Sequence, residues 1–334
     1  MTVPPRRTVP RRTRVLFSVR GPSPTTNPYV VQLGSALGAH VDVRWFTWRR
    51  ALLGRYDVLH VHWPEVVFRR AGRVARAAAV VRFALLMGRL ALTSTPVVRT
   101  VHNPEPHDSA NAVERVLLRW CDRLTRHRIL LNPLTPRPPR GTWEVVPHGH
   151  YVDWFRGRPR SDRVPGRLLC FGLFRPYKGV EALLDAFSAT DDAGLSLRLV
   201  GRPSSDELRG AVLAAVGAEP RASAVLTHVD DDDLSREVTS AALVVLPYRR
   251  MHNSGALLLA LSLGRPVLVP RLDVTEALAE EVGPDWVQTF DGALTAADIE
   301  KAVATTAHLD GVPDLGARGW EAAALAHARG YASL

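Results

Sequence analysis

The chain has 334 residues, 46% of them hydrophobic, a mean hydropathy of −0.04 and a formal net charge of +10. That is an ordinary soluble composition and too long for one compact core, so two domains are expected. Its two cysteines, Cys121 and Cys170, are too far apart in sequence for a metal motif and read as structural thiols of a reducing cytoplasm. The charge is lopsided: residues 1–165 carry +18 and residues 166–334 carry −8, with lysine only at 178 and 301. A basic first half points to an anionic surface that meets that half alone.

Along the chain, residues 1–13 read as a disordered basic tail; the apolar run that follows is too short for a signal peptide. Short β-rich runs then alternate with apolar-periodic segments. Candidate strands are 14–19, 41–46, 58–62, 97–101, 129–131 and 143–146, followed by 168–172, 195–200, 224–227, 243–246 and 267–269. Candidate helices are 28–38, 73–92, 110–125, 180–189, 206–216, 255–263 and 275–282. This alternation predicts an α/β protein of two Rossmann-like, doubly wound parallel-sheet domains facing a cleft. The expected boundaries are 14–150 for a first domain, 151–167 for a linker, and 168–312 for a second domain. Residues 313–334 form a helical C-terminal stretch expected to pack back on the first domain. In such sheets ligands bind at the carboxyl ends of strands.

The first such junction of the second half is Phe171–Gly179. A loop carrying Arg175 and Lys178 leads to Gly179, which opens a helix whose free N–H groups and dipole suit an anion. A guanidinium and an ammonium there fit a diphosphate and would stabilise a leaving nucleoside diphosphate; two solvated loop cations are the alternative. The second junction is Leu246-Pro247-Tyr248-Arg249-Arg250-Met251-His252-Asn253-Ser254-Gly255. Ser254 reads as an N-cap, and Gly255 as a place for close phosphate approach. Gly201, at the end of Leu199-Val200-Gly201, is expected near base or ribose. The run Asp230–Asp233 reads as an exposed helix start, not a metal site.

The order Gly172–Arg175–Lys178–Gly179, then Leu199-Val200-Gly201, then Pro247…Ser254-Gly255…Gly264-Arg265-Pro266-Val267 resembles the donor domain of GT4-like glycosyltransferases of the GT-B kind. His148-Gly149-His150-Tyr151 also resembles the family's sequence before the interdomain crossing. The resemblance covers nearly the whole chain and is more specific in the second half. It implies a GT-B fold, a nucleoside-diphosphate sugar as co-substrate, and neither cofactor nor essential metal. Donor-binding residues are then Arg175, Lys178, Gly179, Gly201, Asn253, Ser254 and Gly255. One departure stands out: the family's two glutamates, eight residues apart, align with Met251 and Leu259, leaving retention or inversion open. Glu276 and Glu280 are candidate replacements. The departure pulls the reading toward bacterial exopolysaccharide enzymes similar to glycolipid mannosyltransferases, with GDP-mannose the favoured donor and a glycan or lipid-linked glycan the acceptor.

In the first half, Gly21 permits a close turn and Asn27 caps a helix that begins with Pro28; both are placed on the acceptor side. Alternation puts His60 and His62 on one face. Trp63 can stack on a sugar or lie buried, and Glu65 can act as a base. The densest polar cluster is His102-Asn103-Pro104-Glu105-Pro106-His107-Asp108. His102 sits where the family has a histidine at the reacting centre, as base under inversion or hydrogen-bond partner of the donor sugar under retention. Glu105 is the second choice, and His148 joins the acceptor-binding set. Pro104 and Pro106 argue against a helical zinc pair of His102 and His107.

Residues 69–92 are apolar but interrupted by arginines, which excludes a spanning helix and leaves a basic amphipathic helix at an anionic membrane or an ordinary packed helix. The expected location is the cytoplasm, at the inner face of the plasma membrane. Two other readings stay open: a non-catalytic sugar-nucleotide-binding protein, and a nucleic-acid-binding protein, for which no recognition motif is present.

Overall fold

Parallel strands need long crossovers, and this chain supplies a helix between most of them. The computed structural model describes residues 11–23, 25–69, 72–103 and 111–334. They form two units, Met1–Gly149 with Trp320–Leu334, and His150–Gly319. The first runs β1 (Arg14–Phe17), α1 (Pro28–Leu37), β2 (Asp42–Arg44), α2 (Trp48–Leu53), β3 (Val58–Val61), α3 (Pro64–Phe68), α4 (Arg73–Leu92), β4 (Val97–Val101), α5 (Ala112–Leu124), β5 (Thr125–Leu130) and β6 (Thr142–Val145). The second runs β7 (Arg167–Phe171), α6 (Val180–Ser188), β8 (Ser196–Val200), α7 (Asp206–Ala218), β9 (Ala222–Val225), α8 (Asp231–Ser240), β10 (Leu243–Val245), α9 (Gly255–Ser262), β11 (Val267–Pro270), α10 (Asp273–Val282), β12 (Val287–Phe290) and α11 (Ala296–Thr306). The last helix, α12 (Trp320–Ala332), returns to the first unit.

Each unit holds a six-stranded sheet in which every pairing is parallel. The first has the order β2-β1-β3-β4-β5-β6 and the second β12-β11-β10-β7-β8-β9. The strand order therefore reverses between β1 and β3 in one unit and between β7 and β10 in the other. These reversals open a crevice at the carboxyl ends of the strands, and they single out the loops where a ligand fits. Both sheets are buried on two faces, which is why their strands read as nearly continuous apolar runs.

Several expectations need correction. Residues 11–13 are not a loose tail: Arg11 pairs with Asp57 at 2.6 Å, and Arg12 donates to the Gly38 carbonyl at 3.0 Å. Residues 151–167 are not a free linker. Tyr151 and Phe155 are buried in the apolar core of the second unit, and Trp154 Nε1 donates to Asp231 at 2.9 Å. Arg158 reaches both Asp231 and Asp232, while Asp230 caps α8, so the acidic run is a helix start. β12 escaped the sequence reading because Val287–Phe290 is four residues long with Gln288 and Thr289 at its centre, which breaks the apolar run; α11, Ala296–Thr306, was also missed.

α12 is held by its apolar side. Trp320, Ala323, Ala324, Ala326 and Tyr331 pack with Val15, Phe17, Tyr29 and Leu33 in one cluster. The indole of Trp320 lies so close to Gly149 that an added Cβ there would come within 2.5 Å of the ring. Trp320→Ala is expected to cost about 3–5 kcal/mol, read as a lowered urea midpoint for the first unit.

Candidate active site

At the reversal in the second sheet, two loops lock together. β7 ends at Phe171, and the chain passes through Gly172 to a single 3-10 turn, Pro176–Lys178. Gly179 follows at φ +66, and a Cβ there would lie 2.4 Å from the Pro247 carbonyl oxygen. At the end of β8, Gly201 has φ +154, and its Cβ would fall 1.8 Å from the Gly172 carbonyl oxygen. Only glycine fits either place. The Arg249 amide donates to the Tyr177 carbonyl at 2.8 Å, which binds the loop after β10 to the turn before α6.

Lys178 lies in this junction, half-buried. Its Nζ donates to Tyr248 Oη at 3.1 Å and stands 4.6 Å from the Tyr248 ring centroid. Burial, reinforced by repulsion from Arg175 and opposed by Cys170, pushes its pKa down to about 8. Arg175 precedes the same turn, and Arg249 and Arg250 are exposed on the facing loop. Ser254 caps α9, its hydroxyl accepting from the Leu257 amide at 3.2 Å. Asn253 is half-buried beside it. The space above Gly255 is shared with Tyr151, whose hydroxyl lies 3.0 Å from where a Cβ would sit, so this glycine makes room for a side chain of its own unit. The junction therefore joins four basic side chains and two helix starts at one sheet edge, a chemistry matched to a diphosphate. Tyr248, Arg249 and Arg250 received no role from sequence; the lone signal was their place at a strand end.

The glutamate positions of the family are apolar here for a packing reason. Leu259 is buried and Met251 packs against the same cluster as Tyr248 and Leu257. Of the candidate replacements, Glu276 pairs with Arg271 at 3.1 Å, and Glu280 is exposed on α10.

At the reversal in the first sheet lies a buried histidine network. His60 and His62 share a face, as alternation predicts, and stack at 4.4 Å. His60 Nε2 meets Thr100 Oγ1 at 2.8 Å, and its Nδ1 meets Tyr331 Oη of α12 at 2.6 Å. His62 Nδ1 meets His102 Nε2 at 3.2 Å, and the His102 ring stacks on Trp63 at 4.0 Å. His148 donates from Nδ1 to the Gly149 carbonyl at 2.9 Å and packs on Tyr29 at 4.6 Å between ring centroids. His62 Nε2 is buried without a hydrogen-bond partner. An unpaired acceptor costs less than an unpaired N–H, so the His62 proton belongs on Nδ1, donated to His102. Burial, with the charge of neighbouring histidines, lowers the pKa of His60 and His102, and that of His62 falls to about 3.

The other first-unit residues separate. Asn27 caps α1, its Oδ1 accepting from the Tyr29 amide at 2.9 Å, and Gly21 lies against Trp45 rather than against the histidines. Glu65 is half-buried in the first turn of α3, directly after Trp63. Glu114 is buried between Arg69 and Arg76; their hydrogen bonds outweigh the upward push of burial and hold its carboxyl below the ordinary range. Glu105 and His107 lie outside the described residues. Among the described residues, no three histidine, cysteine or acidic side chains converge to hold a metal ion.

Two six-stranded parallel α/β units, with an anion-fitting junction at the sheet reversal of the second, define a GT-B glycosyltransferase. The sequence model of the family described as Glycosyl transferases group 1 matches residues 165–309. The chain is 48% identical over 322 residues to the GDP-mannose:glycolipid 4-beta-D-mannosyltransferase of Xanthomonas campestris pv. campestris, covering 96% of this chain and 92% of that protein. It belongs to the group 1 glycosyltransferases and is a transferase enzyme. Among solved structures it is similar to HepE of Anabaena in complex with UDP and glucose, with TM-score 0.64, 16% identity and coverage of 96% and 100%. The sucrose-phosphate synthase of Thermosynechococcus elongatus aligns with TM-score 0.59, 16% identity and coverage of 97% and 99%. These structural likenesses show the fold.

Two pH effects follow. A diphosphate beside Lys178 favours its charged form and raises its pKa, so binding above pH 8 takes up a proton. Affinity for inorganic diphosphate is expected to hold below about pH 8 and to fall above it, by up to about tenfold per pH unit. With lysine only at 178 and 301, 13C-labelled lysine gives two resonances, and the one missing in Lys178→Arg should titrate near 8 and move on addition of inorganic diphosphate. The histidines run the other way. Their folded pKa values lie below the unfolded value, so the stability they contribute is present above about pH 6.5 and is lost as pH falls toward 3. Urea midpoints of the first unit measured down that range should decline.

Proposed function

We propose that the enzyme transfers mannose from GDP-mannose to a hydroxyl of a lipid-linked glycan at an anionic membrane face, with inversion at the anomeric carbon. The observation that carries this reading is the 48% identity, across 96% of the chain, with a protein named as a GDP-mannose:glycolipid 4-beta-D-mannosyltransferase. The sugar of GDP-mannose is α-linked, so a β-linked product requires one displacement from the opposite face. The apolar residues at Met251 and Leu259 fit a donor site that has given up the two carboxylates of the family's common pattern.

In this reading Arg175 and Lys178 take the diphosphate, with Ser254 and the start of α9 supplying neutral donors and Gly179 and Gly201 leaving the backbone close. Binding energy is then directed at the charge that builds on departing GDP. No cofactor is assigned; chelation by EDTA is expected to leave the rate unchanged. The proton of the attacking hydroxyl needs an acceptor. His102 presents its lone pair to His62, which suits it to orient and hydrogen-bond rather than to act as base. Of the described carboxylates that follow β3 and β4, Glu114 is neutralised by two arginines and Asp122 pairs with Arg128, and this leaves Glu65 as the proposed base. Trp63 and His148 would line the acceptor.

The test is transfer of radiolabelled mannose to the glycolipid acceptor. Arg175→Ala with Lys178→Ala should abolish GDP binding by calorimetry together with transfer. Glu65→Gln should leave GDP binding intact and lower kcat by about 10²–10⁴-fold. An α-linked product by NMR would overturn inversion, and a fully active Glu65→Gln would move the base to Glu105.

A further inference from the structure

Packing at position 248 asks only for a large apolar side chain. Tyr248 is 5% exposed, in one apolar cluster with Leu246, Leu257 and Leu258. Burying a hydroxyl costs free energy unless it is fully hydrogen-bonded, so phenylalanine is the ordinary choice there. Yet the residue stands just past the carboxyl end of β10, beside β7, where the order of the second sheet reverses. Its amide bonds back to the Leu246 carbonyl at 2.8 Å, and the Tyr177 ring meets its ring edge-on at 6.4 Å between centroids. The hydroxyl is therefore held in one place.

A phenol has one proton to give and lone pairs to share. The oxygen is used: Lys178 Nζ donates to Tyr248 Oη at 3.1 Å. An ammonium has no lone pair, so the phenol proton cannot be returned to Lys178 and must turn to another acceptor. Among the described residues, Tyr248 Oη has none. Burial, with Cys170 and Tyr177 adding to it, holds the phenol well above its ordinary pKa, so the proton is not shed.

Lys178 is unmatched in the same way. It makes no ion pair among the described residues, and burial pushes the neighbouring Cys170 thiol up to about 12, so that sulfur carries no charge to meet it. Gly172, where a Cβ would stand 3.5 Å from Nζ, leaves the ammonium approachable from the end of β7. Two adjacent donors thus share one spot at the sheet reversal. Phosphate oxygens accept and do not donate, so one phosphate group can satisfy both. A hydroxyl whose oxygen already accepts from a cation also gives its own proton more readily. A carboxylate in place of the phenol would hold Lys178 equally well but would cancel the charge that attracts the ligand.

We infer that the Tyr248 hydroxyl binds the diphosphate, donating its proton to a phosphate oxygen while its own oxygen holds the Lys178 ammonium toward the same phosphate. The inference rests on the proposed diphosphate site and adds to it a neutral donor that comes from the core. Tyr248 is the fixed member of the pair. Lysine reaches its ligand on a flexible four-carbon stem, whereas the phenol turns about two torsions inside packed surroundings. The ammonium is therefore placed by the ring it leans on, and the ligand meets two donors at a set spacing.

The experiment uses the full chain, 13C-labelled at lysine, and inorganic diphosphate. Binding is read from the Lys178 resonance, so diphosphate held elsewhere on a basic chain does not count. Tyr248→Phe keeps the ring and removes the hydroxyl alone, and its melting temperature should stay near the wild-type value. At about pH 6 Lys178 is charged in both proteins, and there the variant should bind diphosphate about tenfold or more weakly. Without ligand, its Lys178 should titrate below the wild-type midpoint of about 8, because the charged form has lost an acceptor. A residue that only fills the core would change the melting temperature and neither of these readings. Affinity at pH 6 equal to that of the wild type would overturn the inference alone, and so would an unchanged Lys178 midpoint. Wild-type protein whose Lys178 resonance ignores diphosphate would overturn the donor-site reading and the inference with it.

Discussion

The junction after β7 depends on a contact that no side chain can enter. The ends of β7 and β8 cross so closely at Gly172 and Gly201 that a single methyl group at Gly201 would collide with a peptide oxygen. The crossing fixes where the chain turns after Gly172, and Gly179, wedged against the Pro247 carbonyl, fixes where α6 begins. Between those two points the chain has room for one short turn, which carries Arg175 and Lys178. Cation placement is thus a consequence of backbone packing, and this is the sense in which the site is preorganised. The same closeness explains the state of Lys178. Its ammonium sits against the Tyr248 ring and hydroxyl, in surroundings dry enough to weaken its hold on its proton.

How much of this was legible beforehand divides along a physical line. Strand ends, helix starts and glycine turns are local, and the segments around Arg175, Lys178, Ser254 and Gly201 show them in sequence. So does the alternation that stacks His60 on His62. The partners of those residues come from elsewhere in the chain and leave no local trace. Tyr331 reaches His60 from the far end of the chain, and Tyr151, read as part of a linker, occupies the space over Gly255. Asn27 was legible as a cap but was given a ligand role its geometry does not require. Gly21 was read as a turn glycine on the acceptor side; a Cβ there would meet the Trp45 ring at an ordinary contact distance of 3.4 Å.

The buried histidines and the exposed arginines of the first unit answer the same electrostatic rule in opposite ways. An imidazole can shed its charge at modest cost, so a network of them is tolerated in a dry interior as long as each stays neutral and most nitrogens are paired. A guanidinium cannot, and arginine is therefore either matched, as with Arg69 and Arg76 around Glu114, or turned outward. The first unit's surplus positive charge is thus a surface property. It is not drawn into the interior among the histidines.

The second unit inverts the arrangement. His150–Gly319 is net negative, yet Arg175 and Lys178 flank one turn, and Arg249 and Arg250 lie on the loop whose backbone bonds to that turn. Within an acidic surround, such a cluster is a local well for a diphosphate and a poor one for an extended anionic surface, whose many charges would meet the acidic remainder as well. The first half, with its excess of +18, carries its cations dispersed over a surface rather than in one cluster. The two halves therefore differ in the spacing of charge as well as in its sign, and a focused cluster and a dispersed face favour anions of different extent.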